Sequence, residues 1–267
     1  PEDPCWNPVL FRVGNRIRLY FKVGPSPRAW VGAYRESTDG GETWGPVEYL
    51  AAGRIGPVRN KPIMLSDGTI LAGSSVEAGY GEGTPGDAPY RSWAGWVERS
   101  TDGGATWSIH GPIGVPGENY GVIQPTLWQT DEGHVRMLLR ATDRIGHVVT
   151  SLSTDGGRSW SPGRRTGLPN PNSALDAVKL RDGRVVLAYN HSAPDAWPSG
   201  RNELHLAVSA DDGRSWSDPI LVEEGDGEFS YPAIIQGADG QIHLTYTWRR
   251  DRIRHLSLDS STLPSGR

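Results

Sequence analysis

Cationic, acidic and aromatic side chains recur near the ends of the short β-rich runs in this 267-residue sequence. Arginine binds a carboxylate through two parallel hydrogen bonds. A carboxyl group with a raised pKa can transfer a proton near neutral pH. These residue types could therefore bind an anionic small molecule and catalyse proton transfer on it. The candidate residues are Trp6, Asn7, Lys22, Asn60, Lys61, Glu77, Gln124, Arg140, Asp143, Asn172, Asp176, Asn190, His191, Arg201, Glu228, Tyr231, Trp248, Arg249 and Arg252.

Four of these residues carry specific expectations. Glu77 and Asp176 are candidate acids, because burial raises the pKa of a carboxyl group. Lys61 follows Asn60 at the start of a predicted central strand, where a buried lysine needs a charged partner or a ligand. We expect Asn60 and Lys61 to contact the ligand.

Two further interpretations stay open at this point. Arg140 either binds an anion or pairs with Asp143, three residues later in the chain. His191 is placed among the ligand-binding candidates, although a structural role is expected over a catalytic one for both His191 and His255.

One octapeptide occurs four times and organises the chain. Its pattern is Ser-x-Asp-x-Gly-x-Thr/Ser-Trp, and its first serines are 53 to 63 residues apart. Aspartate and serine side chains accept hydrogen bonds from nearby backbone and hold tight turns, glycine permits a positive φ, and tryptophan can pack a turn onto its neighbour. A calcium loop is disfavoured, because the EF-hand ligand positions are missing. These aspartate turns are residues 37–44, 100–107, 153–160 and 209–216.

The short runs between the turns predict a single all-β domain over residues 1–267. Each aspartate turn comes late in a unit of about four β-rich runs, and glycine or proline separates the runs. A repeat of this length is typical of propellers and arrays, so we predict a β-propeller with five visible blades. A β-helix or a sandwich is the alternative. The predicted blades are approximately residues 6–50, 57–112, 122–166, 172–222 and 229–260.

Composition excludes several classes of partner. The net charge of -4 provides no basic footprint for nucleic acid or an acidic membrane surface. The single cysteine, Cys5, rules out an internal disulfide. No apolar run approaches the 18 residues of a membrane helix. We expect no cofactor, no metal, no nucleic acid and no membrane partner, and both a secreted and a cytoplasmic bacterial location stay open.

The aspartate turns resemble the Asp-box (BNR) repeats of the sialidase superfamily. Four phrases, Cys-Trp-Asn-Pro at 5–8, Asn-Lys-Pro-Ile at 60–63, Asn-Pro-Asn-Ser at 170–173 and Tyr-Thr-Trp-Arg at 246–249, resemble the bacterial branch of predicted neuraminidases. The resemblance covers essentially the whole chain. It implies a six-bladed propeller, so we expect about one N-terminal blade to be absent, together with an aspartate general acid and one of three arginines.

The resemblance also assigns roles to individual residues. Sialidases use a tyrosine nucleophile assisted by a carboxylate, and Tyr231 stands in that position. Arg140 stands where one arginine of the carboxylate-binding triad would be, and Arg249 is a candidate for another. Gln124 stands where the family's glutamate is expected, and glutamine cannot act as a base. Glu228, Glu77 or Asp176 is expected to take over that role.

Two long connections are expected to be functional or mobile. They are residues 76–93, which include Glu77, and residues 191–201, which include His191 and Arg201. Loops of this length in a compact domain commonly bind ligands.

Three functions from different classes stay open. The first is an exo-acting glycoside hydrolase that removes sialic acid or a related anionic sugar. The second is a lyase that acts on a uronate-containing polysaccharide, and the third is a carbohydrate-binding propeller without catalysis. Because an unclosed ring would expose strand edges, a homo-oligomer or a compensating closure is expected.

Overall fold

The computed structural model describes residues 2–78, 92–118, 121–193 and 200–266. These residues form nineteen strands in five antiparallel sheets, and a short 3₁₀ helix at Ser260–Thr262. No helix in these ranges is long and apolar enough to cross a membrane. No group of three or more His, Cys, Asp or Glu side chains in the same ranges could hold a metal ion.

The strands of each sheet follow one another in chain order. The first sheet contains β1 (Cys5–Val13), β2 (Arg16–Val23), β3 (Val31–Ser37) and β4 (Glu48–Tyr49). The second contains β5 (Ile63–Met64), β6 (Ile70–Ala78), β7 (Ser92–Ser100) and β8 (Ser108–Ile113). The third contains β9 (Val122–Gln129), β10 (Val135–Ala141), β11 (His147–Ser153) and β12 (Arg164–Pro169). The fourth contains β13 (Asp176–Lys179), β14 (Val185–Tyr189), β15 (Glu203–Ser209) and β16 (Ile220–Glu224). The fifth contains β17 (Phe229–Gln236), β18 (Ile242–Trp248) and β19 (Arg252–Leu258).

Neighbouring sheets pack face to face through apolar side chains. Leu71 of the second sheet shares a buried cluster with Met137 of the third. Leu138 packs in the same way with Leu187 of the fourth sheet. Burial of such side chains stabilises the fold by about 1.5–3 kcal/mol each. The prediction of an all-β propeller with five blades is confirmed.

The aspartate turns are built as the sequence predicts. In the first of them Asp39 accepts hydrogen bonds from Ser37 Oγ at 2.7 Å and from Thr43 Oγ1 at 2.5 Å. Hydrogen bonds from Thr43 and Ser37 hold the pKa of Asp39 below its ordinary value. The corresponding aspartate of each other turn accepts the same bonds from a serine and from a threonine or serine.

Each later turn also contacts the preceding sheet. Gly104 accepts a hydrogen bond from Arg18 of the first sheet at 3.1 Å. A Cβ atom on Gly157 would come within 2.8 Å of Leu71 on the second sheet. The turns therefore join neighbouring blades, and glycine is favoured at Gly104 and Gly157 because both have a φ of 86°.

Candidate active site

Five non-glycine residues with positive φ mark the starts of the innermost strands. Their φ angles are 48° at Asn7, 74° at Arg59, 56° at Gln124, 56° at Asn172 and 53° at Tyr231. The strand register shifts beside Asn7, Gln124 and Tyr231, as it does at a β-bulge. Such conformations are disfavoured by about 1–3 kcal/mol each and concentrate at functional sites. Four of them, Arg59, Gln124, Asn172 and Tyr231, are linked by contacts with one another or with Arg140 and Arg201, and they define the candidate site.

Tyr231 lies at the centre of this group. Its phenolic oxygen is 3.5 Å from Arg201 Nη1, and the guanidinium groups of Arg201 and Arg59 lie 5.4 Å and 5.7 Å from its ring centroid. Burial raises the pKa of Tyr231, but the charges of Arg140 and Arg201 outweigh that effect and lower it below the ordinary value. Tyr231 remains 36% exposed, so a ligand can reach it.

Arg140 and Arg201 are both buried, and Asn172 lies between them. Arg140 Nε donates to Asn172 Oδ1 at 3.1 Å, and its Nη1 donates to Gln124 Oε1 at 3.4 Å. Arg201 Nη2 donates to the backbone oxygen of Asn172 at 2.8 Å. Two partners of Arg140 are thus neutral amides, and Arg140 also forms a side-chain hydrogen bond with Tyr231. The alternative pair with Asp143 does not form.

Asn172 offers a further donor at the same place. Its side chain is fully buried, and its Nδ2 has no hydrogen-bond partner among the described residues. A buried donor without a partner is unfavourable by about 1–3 kcal/mol. Together with Arg140, this amide would be satisfied by an anionic or polar ligand.

Glu228 holds Arg201 in place. Its Oε1 accepts from Arg201 Nη1 at 3.0 Å and from Ser230 Oγ at 2.5 Å, and its Oε2 accepts from Arg250 Nε at 2.5 Å. Burial raises the pKa of Glu228, but these three hydrogen bonds outweigh burial and hold it low. Glu228 is therefore an ionised group that positions Arg201.

Glu77 is the other carboxyl group at this site. Burial raises its pKa, although the charges of Arg140 and Arg28 oppose that shift. Glu77 is paired in register with Trp93 across β6 and β7, and the Arg140 guanidinium lies 5.5 Å from the Trp93 ring centroid. A carboxyl group with a raised pKa beside an arginine is suited to act as a general acid.

The sequence profile of the BNR repeat-like domain matches residues 1–244 of this chain. The chain belongs to the BNR repeat-like family. The BNR protein is 30% identical to a sialidase of Micromonospora viridifaciens over 211 residues, which cover 71% of this chain and 31% of that protein. It is 26% identical to a xyloglucanase of a Paenibacillus species, over 92% of this chain and 24% of that enzyme. The chain thus spans 22% to 31% of the length of the curated relatives it matches.

Solved structures show the same fold. A Dyadobacter fermentans protein of unknown function superposes with a TM-score of 0.71 at 20% identity, covering 97% of this chain and 80% of that one. The Trypanosoma rangeli sialidase in complex with sialic acid superposes with a TM-score of 0.67 at 15% identity, covering 95% and 44%. The resemblance of the BNR protein to the sialidase superfamily is confirmed, and at these identities the structures establish the fold alone.

Asp176 and Lys61 lie in a separate buried network of the BNR protein. Lys61 Nζ is 2.9 Å from Asp176 Oδ2. Asp176 also accepts from Thr126 Oγ1 at 2.8 Å and from the backbone nitrogen of Ile234 at 3.0 Å. These bonds tie four sheets together. Protein donors occupy both carboxylate oxygens of Asp176, and Lys61 is bonded to that carboxylate. We therefore no longer propose Asp176 as a catalytic acid or Lys61 as a ligand contact.

Three other predicted ligand-binding residues have partners elsewhere. Asn60 donates to the backbone oxygen of Gln124 at 2.8 Å, so it supports that residue. Arg249 is exposed, and its guanidinium lies 4.7 Å from the ring centroid of Trp248. The ring nitrogen Nδ1 of His191 lies 2.5 Å from Tyr189 Oη within the fourth sheet. Among the described residues, none of these three side chains has a hydrogen bond or a ring contact with Tyr231.

Arg59 is the site residue that sequence reasoning missed. It donates to the backbone oxygen of Leu175 at 2.9 Å and to that of Pro232, and it covers one face of the Tyr231 ring. Burial lowers the pKa of Arg59 to about 10, so it stays charged at neutral pH. The sequence feature that could have indicated Arg59 is its position directly before Asn60, at the start of an innermost strand.

Residues 79–91 and 194–199, within the two long connections, lie outside the described residues.

Proposed function

We propose that this BNR protein is an exo-acting glycoside hydrolase of sialidase type, which cleaves a terminal anionic sugar from a glycan. The observation that carries the proposal is the position of the Tyr231 hydroxyl beside Arg201 and in the field of Arg140, with its pKa lowered by both cations. A tyrosine with a lowered pKa is an activated nucleophile. Relatives that are sialidases support the same reaction class.

In the proposed complex the sugar carboxylate accepts hydrogen bonds from Arg140 and Arg201. Both guanidinium groups are buried, and Arg140 is bonded to two amides and to Tyr231, with no carboxylate bonded to it among the described residues. Hydrogen bonds between ionised partners contribute about 1.5–3 kcal/mol each. The carboxylate would thereby fix the anomeric carbon near Tyr231.

Tyr231 then acts as the nucleophile. Its phenolate oxygen forms a bond to the anomeric carbon, and the bond from that carbon to the leaving oxygen breaks. Glu77 donates its proton to the leaving oxygen, because its raised pKa keeps it protonated to a higher pH. Water then attacks the anomeric carbon, Glu77 takes up the water proton, and the phenolate leaves.

Gln124 supports a second candidate, a lyase acting on a uronate. An amide stands at the position where the resemblance implies a glutamate, and its oxygen accepts from Arg140 at 3.4 Å. A phenolate between arginines could instead remove the proton next to a uronate carboxylate, with elimination of the leaving oxygen. That reaction needs no carboxylate partner for the tyrosine.

Turnover of a panel of fluorogenic glycosides tests the proposal. The panel contains sialic acid, glucuronic acid and neutral sugars, and it is measured for the wild type, Tyr231→Phe and the control Tyr49→Phe. Tyr49 is an exposed residue of the first sheet. We expect release from an acidic glycoside that falls at least a hundredfold in Tyr231→Phe and is unchanged in Tyr49→Phe.

Two other outcomes contradict the hydrolase. An unsaturated product that absorbs in the ultraviolet would favour the lyase. Binding of acidic sugars without turnover, by protein with a folded circular dichroism spectrum, would favour a binding propeller.

A further inference from the structure

A cavity lies apart from Tyr231, between the third sheet and the aspartate turn 209–216. Its volume is about 540 Å³, and four arginines line it: Arg136, Arg164, Arg165 and Arg214. Arg136 and Arg140 stand at opposite ends of β10, about 13 Å apart for a strand rise of about 3.3 Å per residue. Small-molecule sites have volumes of about 300–1,000 Å³. This cavity is large enough for a sugar-sized ligand.

Only part of the positive charge at this cavity is neutralised by the protein. Arg214 Nη2 pairs with Glu132 Oε1 at 2.5 Å, and Arg165 pairs with Glu118. Arg136 is 8% exposed, and its Nε has no hydrogen-bond partner among the residues that the structure describes. A buried donor without a partner is unfavourable, so the cavity is suited to an anion.

The charged groups around Arg136 also favour the binding of an anion in this cavity. Burial lowers the pKa of Arg136, and repulsion from Arg214 and Arg164 lowers it further, while Asp212 and Asp211 act in the opposite sense. Asp212 and Asp211 both have other partners in the protein. Asp212 pairs with Lys179 at 2.7 Å, and Asp211 accepts the hydrogen bonds of its own turn.

The first sheet provides an internal comparison. Arg18 on β2 lies against the turn residue Gly104, as Arg136 on β10 lies against Gly213. Arg18 Nε pairs with Glu36 Oε2 at 2.8 Å, and Glu36 is its register partner on β3. Burial lowers the pKa of Arg18, but hydrogen bonds with Tyr20 and Glu36 outweigh burial and raise it.

The register partner of Arg136 is an apolar residue instead. Leu152 on β11 stands opposite Arg136, where Glu36 stands opposite Arg18. The third sheet therefore lacks the internal counterion that the first sheet contains. It also adds Arg164 and Arg214 around the same cavity. In the first sheet a glutamate neutralises the arginine, whereas in the third sheet no carboxylate stands opposite Arg136.

We propose that this cavity binds a sulfate or phosphate ester of a sugar. The oxygens of such a group accept hydrogen bonds from several guanidinium groups at once. The half-buried ring of Trp216 offers an apolar face for the sugar ring. Thr150 donates its hydroxyl proton to a backbone oxygen at 3.0 Å, which leaves its oxygen as an acceptor for a sugar hydroxyl.

Isothermal titration with galactose 6-sulfate, galactose and inorganic sulfate tests the site. We expect the wild type to bind the sulfated sugar most tightly and galactose not measurably. Arg164→Gln is expected to weaken binding about tenfold or more, because it removes one charged donor. Leu152→Glu places a carboxylate opposite Arg136 and is expected to abolish binding without loss of folding.

Two controls separate this site from the one at Tyr231. Arg12→Gln changes the net charge equally at an exposed position of the first sheet, and Tyr231→Phe alters the other site; both are expected to retain binding. Affinity for the sulfated sugar that is unchanged in Arg164→Gln and Leu152→Glu would overturn the site. Equal affinity for inorganic sulfate and the sulfated sugar would overturn the assignment of a sugar ester and leave a free oxyanion as the ligand.

Discussion

The phenolic oxygen of Tyr231 and Oε1 of Glu228 both contact Nη1 of Arg201, at 3.5 Å and 3.0 Å. The segment at the start of β17 thus contains the proposed nucleophile and, three residues earlier, the carboxylate that positions its cation. Tyr231 itself has a positive φ. Strained backbone of this kind concentrates at functional sites.

The lowered pKa of Tyr231 predicts a pH dependence of stability. The folded protein releases the phenolic proton at a lower pH than the unfolded chain, whose tyrosine pKa is about 10. The contribution to the free energy of unfolding is therefore fully present above pH 10 and is lost as pH falls through the folded pKa. Ultraviolet difference titration of the wild type against Tyr231→Phe measures that pKa. Ionisation of Tyr231 at or above its ordinary pKa would contradict the proposed effect of Arg140 and Arg201.

Gln124→Glu is expected to increase hydrolysis. The new carboxylate would stand at the place of an amide oxygen that already lies 3.4 Å from Arg140. It would supply the base that the resemblance implies for the tyrosine, and general base catalysis contributes about 10²–10⁴-fold. Steady-state kinetics on the best acidic glycoside measure the gain in kcat, with Gln129→Glu at the far end of β9 as the matched control. A rate that stays the same or falls in Gln124→Glu would show that the tyrosine needs no such partner.

Asp176→Asn is expected to lower the free energy of unfolding and to leave kcat unchanged. Removal of one partner from a buried ion pair is unfavourable by about 3–5 kcal/mol, because Lys61 keeps an uncompensated charge. Urea unfolding measures the loss, and kcat is measured on the protein that remains folded. A large loss of kcat with an unchanged free energy of unfolding would return Asp176 to the catalytic residues.

Asp155→Asn tests the aspartate turns. Burial raises the pKa of Asp155, but hydrogen bonds from Ser159 and Ser153 outweigh burial and lower it. Its contribution to stability is present above the unfolded pKa, about 3.9, and is lost as pH falls toward the folded pKa. We expect Asp155→Asn to unfold at lower urea concentration at pH 7 and to lose less stability between pH 4 and pH 2. Asp218→Asn, at an exposed position, is the control, and equal behaviour of the two variants would contradict the role of the turn.

Local patterns in the sequence predicted the blades and part of the site. The aspartate turns and the short β-rich runs recur at fixed places, so the innermost strands and residues near their starts, such as Tyr231 and Gln124, could be located. The partners of Asp176 could not be predicted, because they lie 50 to 115 residues away in the chain. The role of Arg59 was missed for a related reason, since its contacts with Leu175 and Pro232 join separate sheets.

Calorimetric binding of sialic acid and glucuronic acid, each beside its methyl ester, tests the carboxylate site most directly. We expect the wild type to bind at least one acid about tenfold or more tightly than its uncharged ester. Arg140→Gln should lose most of this preference, whereas Arg12→Gln should keep it. Equal affinity of the wild type for each acid and its ester would contradict the anionic-sugar site.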